Sequence, residues 1–391
     1  MEQHLPVSTG DMKRRRWAEL DFVLITGDAY VDHPSFGASV ISRILESRGY
    51  RIGIIAQPDW RSSEDFRKLG RPRLAFLITA GNLDSMVNHF SVSKHRRKRD
   101  VYSPGGATGR RPDRAALVYA SCARSAFKGV PVILGGLEAS LRRLSHYDYW
   151  SDKIRRSVLA DSKADLIVYG MGERQVIELA DLLERGTPVS EIRSVRGTVY
   201  HASSLRHLEG SDFVMLPSFD KIREDRTSYA RGFMAQYHNT DPISGKTLVE
   251  PSGDGFIVQN PPALPLSQEE MDEVYDLPYT CAAHPDYNSV GGVPALEEVQ
   301  FSLLSSRGCF GNCSFCALAY HQGRVVQSRS HGSLLEEAKR MTLRAGFKGY
   351  IHDVGGPTAN FRHPPCSMQL SRGSCTDRQC LYPKPCRNLS V

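Results

Sequence analysis

The chain has 391 residues, 40% of them hydrophobic and 24% charged, and a net charge of +7. That length supports two or three domains, and the composition is that of an ordinary globular protein rather than a disordered one. No apolar run approaches the length of a membrane span, and the basic runs Lys13–Arg16 and Lys94–Arg99 read as solvated loops, so neither membrane nor nucleic acid is indicated as a partner.

Strands and helices alternate through the first two hundred residues. Phe22 to Thr26 is an apolar strand ending at Gly27-Asp28, followed by a periodic helix from about Ala38 to Arg48. Strands are expected at Arg51 to Ala56 and Leu74 to Thr79. A helix from Asp113 to Phe127 leads to the strand Val130 to Leu134, which stops at Gly135-Gly136. Leu166 to Tyr169 is a fifth strand and Gly172 to Glu184 a helix. This rhythm predicts a Rossmann-like, doubly wound parallel sheet over residues 1–202, with ligands at the carboxyl ends of its strands. Residues 203–297 are richer in Pro, Asp and Ser, with helices near Ser228–Tyr237 and Gln268–Tyr275, and read as a connecting region.

A second alternating unit occupies residues 298–361. Val299 to Ser305 is a strand, Leu334 to Ala345 an amphipathic helix, and Tyr350 to Val354 a strand that ends in Gly355-Gly356. The first of these strands runs straight into Cys309, Cys313 and Cys316, spaced C-x3-C-x2-C. Three thiolates hold three irons of a [4Fe–4S] cube and leave the fourth open to a small molecule. A zinc knuckle is the competing reading, with His321 as the nearest fourth ligand, but zinc sites more often pair cysteines as C-x2-C. Residues 362–391 form a cysteine-rich segment. Cys366, Cys375, Cys380 and Cys386, spaced C-x8-C-x4-C-x5-C among prolines, are a candidate second site for a cluster or for zinc.

Seven of the nine cysteines follow position 308, which suits metal or cluster binding in a reducing compartment better than disulfides. The N-terminus carries charges close together and no apolar stretch of signal-peptide type, so a cytoplasmic location is expected. Glu138, Arg142, Arg143, His146, Tyr147, Asp148 and Trp150 crowd the segment after the double glycine, which fits either a site or a salt-bridged surface helix.

The segments Gly27–Gly37 (GDAYVDHPSFG), Gly53–Trp60 (GIIAQPDW), Gly109–Arg114 (GRRPDR) and Gly135–Arg142 (GGLEASLR) resemble the N-terminal region of YgiQ-type radical S-adenosylmethionine (SAM) proteins. The cysteine loop, His321–Arg324 (HQGR) and Asp353–Asn360 (DVGGPTAN) are similar to that family's core. The resemblance implies a Rossmann-like N-terminal domain followed by the first part of a radical SAM (β/α) barrel. It implies that Cys309, Cys313 and Cys316 ligate the cluster and that SAM chelates its open iron. Reductive cleavage of SAM to a 5′-deoxyadenosyl radical would follow, on a substrate the resemblance does not define. It places the Phe315 backbone near the adenine and Gly355 and Gly356 near the methionine amino group. Pro357 stands where an acidic residue is usual, and Asp353 offers a carboxylate nearby. The family also carries cysteines corresponding to the second set. An electron donor such as a flavodoxin or ferredoxin is implied.

Cobalamin is not expected, because Asp32-His33-Pro-Ser-Phe-Gly37 misses the D-x-H-x-x-G register. An RNA methylthiotransferase is disfavoured because the N-terminal domain has only Cys122. Only 75 residues follow Cys316, too few for a complete barrel, so a fragment or a truncated chain with exposed edges and reduced stability is expected. A non-catalytic iron–sulfur or zinc protein is the alternative to an enzyme.

Overall fold

Alternating β-branched and leucine side chains make the first strands two-sided, and both sides are covered. The computed structural model describes residues 3–356, 360–375 and 378–390. Strands β1 (Phe22–Thr26), β2 (Ile52–Ala56), β3 (Ala75–Thr79), β4 (Val132–Gly135) and β5 (Leu166–Val168) lie parallel in the order β2-β1-β3-β4-β5. Leu24, Leu77, Ile133 and Val168 face one core, and Val23, Phe76, Val132 and Ile167 face the other. The strand order reverses direction at β1, which puts the topological switch point between β1 and β3.

Helix α1 (Gly37–Ser47) buries Val40, Ile44 and Leu45 on the first face. Helix α2 (Ala115–Ala126) closes the opposite face with an alanine-rich stripe, where Ala116, Ala120 and Ala123 are fully buried and allow close approach to the sheet. The short helix α3 (Gly136–Leu141) leaves β4 directly. Helix α4 (Glu173–Glu184) presents Val176, Leu179, Ala180 and Leu183 at helical spacing to the α1 side. Truncating a side chain such as Leu179 to alanine here is expected to cost about 2–5 kcal/mol.

The sheet does not end where the parallel rhythm stops. β6 (Thr198–Ala202), β7 (Phe213–Met215), β8 (Thr247–Ser252) and β9 (Gly255–Gln259) extend it to nine strands, in the order β7-β8-β9-β6-β5-β4-β3-β1-β2. β8 and β9 are an antiparallel hairpin turning through Gly253 at φ +61°. The region read as a connector therefore contributes three strands to the main sheet, β7 to β9, and helices α5 (Arg226–His238) and α6 (Gln268–Asp276) flank them.

Beyond this sheet the pieces are small. Val299, where the sequence suggested that a strand begins, instead closes a short helix, Pro294–Val299, with Pro294 in its first turn. The strand β10 (Ser302–Leu304) starts later, and β11 (Ser306–Arg307) pairs antiparallel with β12 (Gln327–Ser328). α7 (Leu318–His321) follows the cysteine loop and α8 (His331–Thr342) packs on α6. β13 (Asp353–Gly355) pairs parallel with β10 in the register Leu304↔Gly355. Leu335, Leu343, Tyr350 and Val354 of this unit are exposed. Short helix α9 (Ser367–Arg372) lies in the cysteine-rich tail. No helix among the described residues is long and apolar enough to cross a membrane.

Candidate active site: a cysteine loop beside a sheet-end cavity

The cysteine loop is held at both stems. On the entering side Arg307 is 3% exposed and forms an ion pair with Glu173, itself 4% exposed, at the start of α4. The Arg307 Nε also donates to the Tyr275 hydroxyl at 3.0 Å, and the guanidinium lies over the Tyr275 ring at 5.2 Å. These partners hold Arg307 firmly charged despite its burial. On the leaving side Gln322 Oε1 accepts from the Gly308 N–H at 3.1 Å, and the Cys309 N–H donates to the Gly323 carbonyl at 3.1 Å.

Two glycines leave no room for alternatives. Gly308 sits at φ +80°, and a Cβ there would lie 2.2 Å from the Val325 carbonyl oxygen. A Cβ on Gly311 would lie 3.3 Å from Cys309 Sγ and 3.9 Å from Cys313 Sγ, so the loop folds its sulfurs around a bare backbone. Cys309 and Cys316 are half-buried and Cys313 is exposed; all three thiols are free. Three free thiols on a loop wrapped round a glycine fit the donor set of an iron–sulfur cube. Among the described residues no three or more His, Cys, Asp or Glu side chains are already drawn to ligating distance.

His321 does not join the thiols. Its Nδ1 lies 3.1 Å from the Ser140 hydroxyl, which itself donates to the Gly136 carbonyl at 2.8 Å and accepts from the Gly170 N–H at 3.0 Å. With the Ser140 proton engaged, His321 donates from Nδ1 and keeps Nε2 as an acceptor. Burial pushes the imidazole down to about 4, so it is neutral at physiological pH.

Of the remaining residues singled out in the sequence, Asp353 opens β13, Gly355 closes it and Gly356 follows. Gly355 is buried and its carbonyl accepts from the Ser305 N–H at 2.8 Å, four residues before Cys309. Gly356 is half-buried and Asp353 is exposed. Phe315 is 90% exposed, with its ring standing off the loop. Pro357 lies outside the described residues.

The glycine-rich strand ends have separate fates. At β1, Asp28 is buried against Arg111 at 2.9 Å, and burial raises its carboxyl to about 6. At β4, Gly136 (φ +79°) edges a cavity of about 490 Å³ at the carboxyl end of the sheet. Leu24, Leu77, Ile133 and Val168 line it from the strands, with Ile41 of α1 and Val176 of α4 opposite. Arg307, Leu318, His321 and Gln322, the stems of the cysteine loop, line it too. It is an apolar pocket with few polar groups at a topological switch point, the usual setting of a small-molecule site.

Asn82 and Glu173 also line this cavity, and neither stood out in the sequence. Their signal was positional only, one just past β3 and the other opening α4 after β5. The polar crowd from Glu138 to Trp150 is mostly internal bracing. The Glu138 carboxylate accepts from the Ser85 N–H at 2.8 Å and the Ala116 N–H at 3.0 Å, and Arg143 donates to Gln259 at 2.6 Å. Asp32 pairs with Arg43, and buried His33 accepts from the Ser35 N–H at 3.1 Å.

A parallel sheet of this order, delivering a glycine-wrapped three-thiol loop to its ligand end, defines an α/β protein with the makings of an iron–sulfur site. The Radical SAM N-terminal family matches residues 4–302. UPF0313 proteins of Clostridium botulinum (strain ATCC 19397 / Type A) and Clostridium perfringens (strain 13 / Type A) are each 54% identical over 387 residues. The match takes in 99% of this chain but only 60% and 58% of those relatives' lengths. The chain belongs to the UPF0313 (YgiQ-type) family of radical SAM N-terminal proteins. Among solved structures, it is similar to the radical SAM methyltransferase TsrM from Kitasatospora setae with tryptophan and a SAM analogue bound. That similarity has a TM-score of 0.47 and 14% identity, covering 86% of this chain and 47% of the other.

Proposed function

We propose that this chain carries the cluster-binding part of a radical SAM enzyme, with a [4Fe–4S] cluster on Cys309, Cys313 and Cys316 and its substrate in the cavity beside them. The observation that carries the reading is the placement of both stems of the three-thiol loop in the wall of that 490 Å³ cavity. A reduced cluster with SAM on its open iron supplies a 5′-deoxyadenosyl radical for hydrogen abstraction. The chain's own residues do the rest. Gly308 and Gly311 let the loop wrap, and Arg307 anchors it to Glu173. The backbone at Phe315 would hold the adenine of SAM, and Gly355 and Gly356 at the end of β13 would receive its methionine end, with Asp353 offering a carboxylate. Neutral His321 offers Nε2 as a hydrogen-bond acceptor at the cavity wall, and the apolar lining shields a radical from water. The electron arrives from a flavodoxin- or ferredoxin-type donor.

The test is anaerobic reconstitution with iron and sulfide, electron paramagnetic resonance of the reduced chain with and without SAM, and chromatography for 5′-deoxyadenosine. The expected result is a [4Fe–4S]⁺ signal that shifts on adding SAM and disappears in Cys313→Ala. Zinc retained in place of any cluster would refute the radical reading. A cluster that ignores SAM and yields no 5′-deoxyadenosine would favour a non-catalytic iron–sulfur protein.

A further inference from the structure

The tail that carries the second cysteine set folds back against the first loop. The Tyr237 hydroxyl on α5 is approached by the amides of Asn312, next to Cys313, and of Gln379, next to Cys380, the latter at 3.5 Å. Leu381 comes within 4.0 Å of where a Cβ on Gly311 would lie. Arg324, just beyond α7, stacks over the Tyr237 ring at 4.6 Å, and its carbonyl accepts from Gln369 at 3.3 Å. Phe310 and Phe361 stack with centroids 3.9 Å apart.

Within the tail, hydrogen bonds tie the cysteine-bearing segments to one another. The Ser390 N–H donates to the Pro365 carbonyl at 2.7 Å and the Leu389 N–H to Cys386 at 3.0 Å, which brings Cys366 to Cys386. The Cys386 N–H donates to the Cys380 carbonyl at 2.9 Å. Cys375 is held near by its neighbour, since the Ser374 N–H donates to Asp241 at 2.7 Å and the Ser374 hydroxyl accepts from Gln369 at 3.1 Å. All four thiols are free, and Cys375 is the exposed one.

We propose that Cys366, Cys375, Cys380 and Cys386 hold a second iron–sulfur cluster that passes electrons to the cluster on Cys309, Cys313 and Cys316. Four thiolates saturate a cube and leave no iron for a substrate, which suits electron transfer alone. The set lacks the C-x2-C pairs usual in zinc sites. Each transfer is a single electron. A reduced flavodoxin- or ferredoxin-type carrier is oxidised by one electron, the tail cluster is reduced and then reoxidised, and the loop cluster is reduced. The electron-transfer half of this proposal rests on the radical SAM reading; the metal site does not.

The experiment compares the full chain with two variants, Cys309→Ala/Cys313→Ala/Cys316→Ala and Cys380→Ser/Cys386→Ser, after anaerobic reconstitution with iron and sulfide. The parent should hold about eight irons and each variant about four. The loop variant should keep a reduced-cluster resonance that SAM does not shift. The tail variant should keep the SAM-responsive signal with dithionite but lose reduction by photoreduced flavodoxin. Circular dichroism of both variants establishes that they fold. A parent holding about four irons, all lost from the loop variant, would overturn the second site, as would zinc bound at the tail. Undiminished reduction by flavodoxin in the tail variant would overturn the relay. A parent cluster that ignores SAM while the loop variant still holds iron would sink the radical reading and leave the tail site standing.

Discussion

Replacing Glu173 by glutamine tests the joint between the nine-stranded sheet and the cysteine loop. The substitution keeps the shape of the side chain but leaves Arg307, 3% exposed, without its counter-charge. Breaking one side of a buried ion pair costs about 3–5 kcal/mol. The Tyr275 hydroxyl and ring remain, and they hold the effect toward the lower end. For 391 residues the unfolding entropy is about 0.8 kcal/mol/K, so the melting temperature should fall by about 4–6 °C. The assay is thermal circular dichroism of the chain without added iron, for the parent, Glu173→Gln, Arg307→Met and the double variant. The double variant should recover most of the loss, with a coupling of at least about 1 kcal/mol. A Glu173→Gln melt within about 1 °C of the parent, together with a coupling below about 0.5 kcal/mol, would refute the anchoring role.

Three further outcomes follow from the geometry. Gly308→Ala forces a Cβ into the Val325 carbonyl at a left-handed backbone, so it should destabilise by about 2 kcal/mol and lower iron incorporation, read by thermal melting and iron analysis. Ala38→Leu adds apolar atoms to the sheet-end cavity; the substrate-free chain should gain about 1 kcal/mol in urea unfolding, and a loss would mean that the space is not free. The carboxylate of buried Glu250 accepts from the Ser145 N–H and hydroxyl, and burial pushes it from 4.5 up to about 7. The folded state therefore binds that proton more tightly than the unfolded one. Its contribution is complete below about pH 4.5 and is lost as pH rises through about 7, at most about 3 kcal/mol. Glu250→Gln should flatten the melting temperature across that window, and an unchanged pH profile would contradict the assignment.

Periodicity made the parallel half of the sheet legible, because each of its strands is an apolar run closed by a turn signal and each helix carries a buried stripe. The bounds of α1 and β3 differ from the expected ones by a single residue at each altered end. The strands β7 to β9 were not legible. Phe213–Met215 is short and half-exposed, and the hairpin around Gly253 sits among the prolines and serines that argued for a connector. Their pairing is set by neighbours distant in sequence, which local patterns do not carry. The thiol loop was legible because its three cysteines fall within eight residues of sequence, Cys309 to Cys316. The cavity was not, since Ile41, Leu77, Asn82, Val176 and His321 meet only once the sheet has twisted and the helices have docked.

Three side-chain supports of the cysteine loop and its stems come from earlier parts of the chain: Glu173 for Arg307, Ser140 for His321, Tyr237 for Asn312. A domain made from the N-terminus onward folds in that order. The sheet and its helices are thus a finished mould before Cys309 leaves the ribosome. On the proposed cluster reading, metal loading would then be the closing of a loop on a surface already in place, and the thiols would not meet iron on an unfolded chain.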